Sequence, residues 1–212
     1  MNGQQETQEI GRRELNRREK LLSIETAGRD LFGAKGFEET TTRELARTAG
    51  VGTGTLFLYF PEKRDLLLHL FHRDVIEVNA RAFETVPRDV PLVDQLSHVF
   101  QQSYDYYERD LRLSKAFLRE LFFADPEARR RHSGEERFEK SVEALVHEAA
   151  ECGELRSDIE PRRAALLLMN LYVVGLVAWL VGSLPTRSAL DELVRGNLEL
   201  CLEGLSGRRR TQ

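Results

Sequence analysis

TTRELARTAGVGTGTLFLY, residues 41–59, is the stretch from which the fold of this 212-residue chain can be read. Thr41 and Glu44 stand in the spacing of a capping box: the Thr41 hydroxyl can take the Glu44 amide while the Glu44 carboxylate reaches back. A short helix therefore starts at Thr42. Leu45, Ala46 and Ala49 give it a narrow face for close packing, and Gly50-Val51-Gly52 then supplies a tight turn with an apolar plug. A second short helix, Thr53 to Tyr59, follows and ends before Pro61, a residue suited to the first turn of the next helix. Two short helices joined by a glycine turn form a helix-turn-helix, the shape that lays its second helix in the major groove of DNA.

Longer helices are expected on both sides. Leu21, Ile24, Ala27, Leu31 and Phe32 keep a 3.6-residue period over about residues 17–34, and Gly36 ends that helix, with Phe37 placed to fold back on Phe32. Beyond Pro61, Leu66, Leu67, Leu70 and Phe71 carry a fourth helix. Proline and glycine divide the rest into further helical lengths near 92–108, 111–124, 134–152, 161–182 and 188–205. The fold class is all-α. Residues 1–16 read as a loosely ordered basic arm, 17–80 as the DNA-binding domain and 81–206 as a second domain, joined through a continuous helix because no Gly/Ser-rich stretch intervenes.

The second short helix opens on Thr53, Gly54 and Thr55, small and hydroxylic residues that allow close backbone approach and offer hydroxyls to base edges or phosphates. A glycine inside a helix costs about 1 kcal/mol relative to alanine. Gly54 therefore implies close contact, either with DNA or with a neighbouring helix. The formal net charge is −4, unevenly spread: +1 over residues 1–64 and −5 over 65–212. Arg12, Arg13, Arg17, Arg18 and Lys20 form a local basic cluster that suits phosphates or simply a solvated helix face.

Phe37, Thr41-Thr42, Leu45-Ala46, Ala49-Gly50-Val51, Gly54-Thr55-Leu56, Tyr59-Phe60-Pro61 and Lys63 together resemble the signature of the tetracycline-repressor (TetR) family over about residues 17–70. The resemblance implies an all-α homodimer with an N-terminal DNA-binding head and a C-terminal domain that binds a small effector and forms the dimer. It also implies that Thr42, Tyr59 and Lys63 contact phosphates while Thr53 and Thr55 face the groove. The chain departs from the family at Thr53, where a lysine or similar polar residue is common, and at Phe57-Leu58. Fewer polar base readers remain, so backbone and shape readout, Arg43 or the basic arm must contribute.

Residues 164–181 are almost wholly apolar and touch the lower length of a membrane span. Arginines on both sides give no orienting bias, and a helix buried between a core and a partner subunit has the same composition. The buried reading predicts a four-helix homodimer interface from 161–182 and 188–205, with no membrane partner. Between head and interface, Tyr104, Tyr106, Tyr107, Phe117, Phe122 and Phe123 cluster with Met169, Tyr172 and Trp179 of later helices. Such aromatics serve as core or as cavity lining. Tyr104, Tyr107, Phe117, Phe122, Met169, Tyr172 and Trp179 are the candidate effector contacts, for an apolar or aromatic ligand in preference to a sugar or nucleotide.

Other classes find less support. No metalloprotease helix, nucleophile elbow or phosphate loop is present, and Gly50-x-Gly52-x-Gly54 follows a helix and has Thr55 at the last required glycine, so an enzyme is not expected. No cofactor is expected. His69 and His72 share a helical face near Asp74 and Glu77, where solvated histidines are the expectation over a metal. Cys152 and Cys201 show neither metal spacing nor a disulfide framework, which fits a reduced, cytoplasmic location, as does a polar N-terminus unlike a signal peptide. The competing function class is a helical interaction protein or membrane-associated adaptor without specific DNA binding. Within the regulator reading, the expectation is a repressor that binds a palindromic operator as a homodimer and is released by a small apolar ligand.

Overall fold

The computed structural model describes residues 2–125, 127 and 135–205, with side chains described from residue 12 onward except at 135. Residues 1, 126, 128–134 and 206 of the expected segments lie outside that description. Among the described residues the regular structure is helical, without strands. The elements are α1 (Asn2–Lys35), α2 (Thr42–Thr48), α3 (Thr53–Tyr59), α4 (Lys63–Glu84), α5 (Leu92–Glu108), α6 (Leu111–Phe123), α7 (Glu135–Glu151), α8 (Pro161–Leu180) and α9 (Arg187–Leu205). Contacts divide the chain into two compact units between Phe71 and His72, inside α4, where the sequence places the boundary nearer residue 80. The segment before residue 17, expected to be loose, carries helical backbone from Asn2 as a continuation of α1. Its Gln, Glu and Arg residues are good helix formers and no proline interrupts them.

In the first unit α1 ends at Gly36, whose φ of +89° is open to glycine at little cost, and its amide donates to the Phe32 carbonyl. Phe37 folds back so that its ring centroid lies 5.6 Å from that of Phe32. Thr40, fully buried, donates its hydroxyl to the Gly36 carbonyl at 2.7 Å. Glu25 on α1 is buried and meets His69 Nε2 on α4 at 2.7 Å, so the histidine of the candidate metal pair is engaged with a carboxylate. No group of three potential metal ligands occurs among the described residues.

The capping box is present in full. Glu44 donates its amide to Thr41 Oγ1 at 3.2 Å, and its carboxylate accepts the Thr41 amide at 3.0 Å. The same carboxylate oxygen accepts from Lys35 Nζ at 2.6 Å, which ties the end of α1 to the start of α2. The Lys35 hydrogen bond first, then those from Thr41, pull the Glu44 carboxyl down to about 2. In an unfolded chain that carboxyl titrates at about 4.3, so folding is favoured by its charge above that pH and the contribution fades as pH falls toward about 2. Thermal melts of wild type and Glu44→Gln from pH 7 to pH 2.5 are expected to differ by a constant gap above about pH 5 and to converge in acid. An undiminished gap in acid would remove the charge from this account.

In the second unit α8 packs against α7 and α9. Half of its most apolar stretch is buried, and it is long and apolar enough to cross a membrane. Leu190, Val194, Leu198 and Leu202 of α9, one turn apart, form the buried face expected of an amphipathic helix. Arg187, at the start of α9, donates to the Gln101 carbonyl and to Asp105 on α5 and lies 5.2 Å over the Tyr104 ring.

Candidate nucleic-acid interface and effector cavity

The first unit presents α3 outward. Of its residues only Leu56 is buried; Thr53, Gly54, Phe57 and Leu58 are exposed and Thr55 and Tyr59 half-buried. Gly50, at φ +67°, makes the turn that sets α3 against α2. At Gly54 a built Cβ would meet nothing within 4 Å, so no neighbouring helix of this unit requires the glycine. Leu58 is 85% exposed. No arginine, asparagine or glutamine lies on α3, and its outward face offers hydroxyls and apolar groups. Arg43 is exposed and Thr42 half-buried on α2, and Arg12, Arg13, Arg17, Arg18 and Lys20 are all exposed along α1.

Two expected phosphate ligands have additional partners. Tyr59 donates its hydroxyl to the Arg17 carbonyl at 3.1 Å, which fixes the end of α3 to α1 and leaves the phenol oxygen as an acceptor. Lys63 donates to the carbonyls of Phe37, Glu38 and Thr40 at 2.6, 3.2 and 2.9 Å and stands 4.3 Å from the Phe37 ring centroid. An ammonium is a donor only, and those three carbonyls accept from it. Lys63 thus holds the loop after α1. Sequence spacing gives no sign of this, because its partners lie more than twenty residues upstream.

In the second unit a cavity of about 250 Å3 opens among α4, α5, α6, α7 and α8. Tyr107, Phe117, Phe122, Met169 and Tyr172 of the candidate contacts line it. Tyr104 and Trp179 do not. Tyr104 is a strut of the core: its hydroxyl donates to the Tyr172 carbonyl at 3.0 Å and its ring stacks on Tyr172 at 5.1 Å. The reading of the sequence missed Val75, Asn79, Leu118, Leu121, Phe138, Val173, Leu176 and Val177, aliphatic residues and single polar or aromatic ones that a search for aromatic clusters passes over.

None of the lining side chains carries a formal charge. Burial pushes the Tyr172 phenol up to about 12 and the Tyr107 phenol well above its usual range, so both stay neutral across physiological pH. Tyr107 and Tyr172 are hydrogen-bonded to each other, and Tyr172 also to Ser103. Ser103 donates to Asn79 Oδ1 at 2.7 Å. The cavity is therefore apolar with one connected polar strip. A shallower groove of about 240 Å3, lined by Ile76, Ala80, Phe83, Glu84, Arg137 and Ser141, shares Asn79 and Phe138 with it.

Residues 24–70 match the bacterial regulatory proteins of the tetR family, and residues 62–204 match the C-terminal domain of TetR/AcrR family transcriptional repressors. The chain is 29% identical to the HTH-type transcriptional repressor KstR of Rhodococcus jostii, over 90% of this chain and 83% of that one. Among solved structures it is similar to a TetR-family repressor, FadR of Thermus thermophilus, in complex with lauroyl-CoA: TM-score 0.72, 27% identity, 90% of this chain and 97% of that one. The fold is also that of FadR from Bacillus subtilis in complex with stearoyl-CoA, with a TM-score of 0.67 at 21% identity over 87% and 99% of the two chains. With two thirds of its residues in the C-terminal match and the helix-turn-helix in the other, this chain belongs to the TetR/AcrR family of transcriptional repressors.

Proposed function

We propose that the protein is a cytoplasmic, effector-responsive repressor that binds a palindromic operator as a homodimer and is released by a ligand carrying a single apolar chain. The observation that carries the effector half is the uncharged cavity of about 250 Å3. Sites for drug-sized ligands run from roughly 300 to 1,000 Å3, so this one suits a narrow chain and leaves a bulky headgroup outside. The lauroyl-CoA bound by the Thermus thermophilus relative is a ligand of that form. The effector contacts are then Tyr107, Phe117, Phe122, Met169 and Tyr172, with Tyr104 behind them.

On the DNA side, Thr53, Gly54 and Thr55 meet the groove, Thr42, Arg43 and Tyr59 its borders, and Lys63 acts mainly by holding the loop beneath them. Phe57 and Leu58, on a helix without Arg, Asn or Gln, favour apolar contact with thymine methyl groups over bidentate reading of guanine or adenine. The homodimer has a ready surface. Leu167 and Val174 on α8, Val181 at its C-cap, and Leu193 and Leu200 on α9 are exposed and recur at intervals of seven, two helical turns, so each set shares one face. A ligand that binds better to the arrangement unfit for DNA weakens operator affinity by its differential affinity, typically about 1–3 kcal/mol, or roughly five- to 150-fold.

The test is a titration of the protein, and of a Thr53→Ala, Thr55→Ala double variant, with duplex DNA from upstream of its own gene at several salt concentrations, followed by lauroyl-CoA. Dimeric binding with a steep salt slope, weaker in the folded variant and reversed by lauroyl-CoA, is expected. Equal binding by both proteins would remove α3 from the interface. Salt-insensitive association, or a need for detergent, would point to the adaptor class.

A further inference from the structure

Resting on the apolar-chain reading of the effector, the geometry points to a polar group built for the head of that ligand: we propose that Asn79 receives a neutral carbonyl oxygen, and that cavity and groove form one amphipathic site for an acyl ester or thioester. Asn79 and Phe138 are the two residues common to both spaces, so a chain lying in the cavity leaves it past them.

The hydrogen bonds fix what Asn79 can offer. Ser103, buried on α5, donates to Asn79 Oδ1 at 2.7 Å. The same hydroxyl also lies 3.2 Å from the Val99 carbonyl of its own helix and is linked to Tyr172, which is linked in turn to Tyr107. The Ser103 hydroxyl thus anchors the Asn79 carbonyl to α5. What Asn79 has left for a ligand is its Nδ2, a donor, at the junction of an apolar chamber and a polar groove. The bond from Ser103 holds the amide in one orientation.

The chemistry of the head follows from the charges around it. A carboxylate seated at Asn79 would lose its hydration against a chamber lined by uncharged side chains, which disfavours a free fatty acid. A carbonyl without charge loses little and gains the amide hydrogen bond. Beyond it the groove carries one basic and one acidic residue, Arg137 and Glu84, with the Ser141 hydroxyl, and can accommodate the polar remainder of an activated acyl compound.

The probes are lauroyl-CoA, S-dodecyl-CoA, which differs only by lacking the carbonyl, and lauric acid. Binding is followed by calorimetry with wild type, Asn79→Leu and Asn79→Asp, each first checked for helix content and thermal melting. Wild type is expected to prefer lauroyl-CoA over S-dodecyl-CoA by about tenfold, the size of one hydrogen bond to a buried donor, and to bind lauric acid most weakly. Asn79→Leu is expected to bind the two CoA compounds alike, whatever its absolute affinity, and Asn79→Asp to prefer the thioether. Equal binding of both by wild type, or a preference that survives in Asn79→Leu, overturns the assignment while leaving the chain reading in place. If neither CoA compound binds, the chain reading falls and this proposal falls with it. The wild-type comparison needs no variant to fold.

Discussion

Gly54→Trp is expected to lose operator binding by about a hundredfold or more, a deficit near 3 kcal/mol, while melting at the temperature of the wild type. Gly54 lies in α3 without a positive φ, so the backbone accepts an L side chain. Its Cβ would enter open space. The glycine therefore weakens the free protein slightly: Gly54→Ala should stabilise it by about 0.5 kcal/mol by restricting the unfolded chain. A position at which the isolated protein gains from a side chain, on the exposed face of the groove helix, keeps its glycine for something that approaches from outside. Fluorescence anisotropy with labelled operator and a thermal melt of the same sample separate the two effects. Unchanged affinity in the tryptophan variant would mean that the first turn of α3 stays clear of the DNA.

Gly175 behaves in the opposite way. A Cβ there would stand 2.5 Å from Val194 Cγ2 and 3.0 Å from Leu190 Cδ1, both buried on α9. Valine is held at χ1 by its branching, so Val194 cannot turn aside cheaply and α8 and α9 must move apart. Gly175→Val is expected to cost about 3 kcal/mol, the upper end for an overpacked core, and to lower the melting temperature by roughly 6–12 °C in a chain of this size. Gly33 on α1, where a Cβ would meet nothing within 4 Å, is the control: Gly33→Ala should melt no lower than wild type. Because α8 and α9 also carry the proposed dimer face, size exclusion should show the Gly175 variant shifting toward monomer as it loosens. A variant that melts like wild type would disprove the close helix crossing.

Different parts of the molecule were legible to different degrees, and chain separation explains most of the difference. Thr41 and Glu44 cap α2 across three residues, Gly36 and Phe37 close α1 against Phe32, α2 starts at Thr42 and α3 runs from Thr53 to Tyr59 as the sequence implies. Each of those signals has its partner within one or two turns. Lys63 stood as a phosphate ligand because the family resemblance implies one at that position. Its three carbonyl partners, twenty-three to twenty-six residues away, are visible only once the loop after α1 has folded over it. Tyr104 and Tyr107 sit three apart on one helix, yet Tyr107 lines the cavity and Tyr104 braces α8.

By itself the sequence determined the helical class, the helix-turn-helix and its position, the glycine turn between its helices, and an aromatic region in the second half. These follow from hydrophobic period, capping and backbone freedom, all of which act over a few residues. Tertiary structure alone decided that a Cβ at Gly54 would meet open space and one at Gly175 would meet Val194, Leu190 and Tyr104, that Asn79 lies between a chamber and a groove, and that Phe138 completes the chamber wall. The physical reason is that a cavity and a close approach are relations between surfaces of different helices, set by how side chains interdigitate when those helices pack, and no local pattern along the chain encodes which two surfaces will meet.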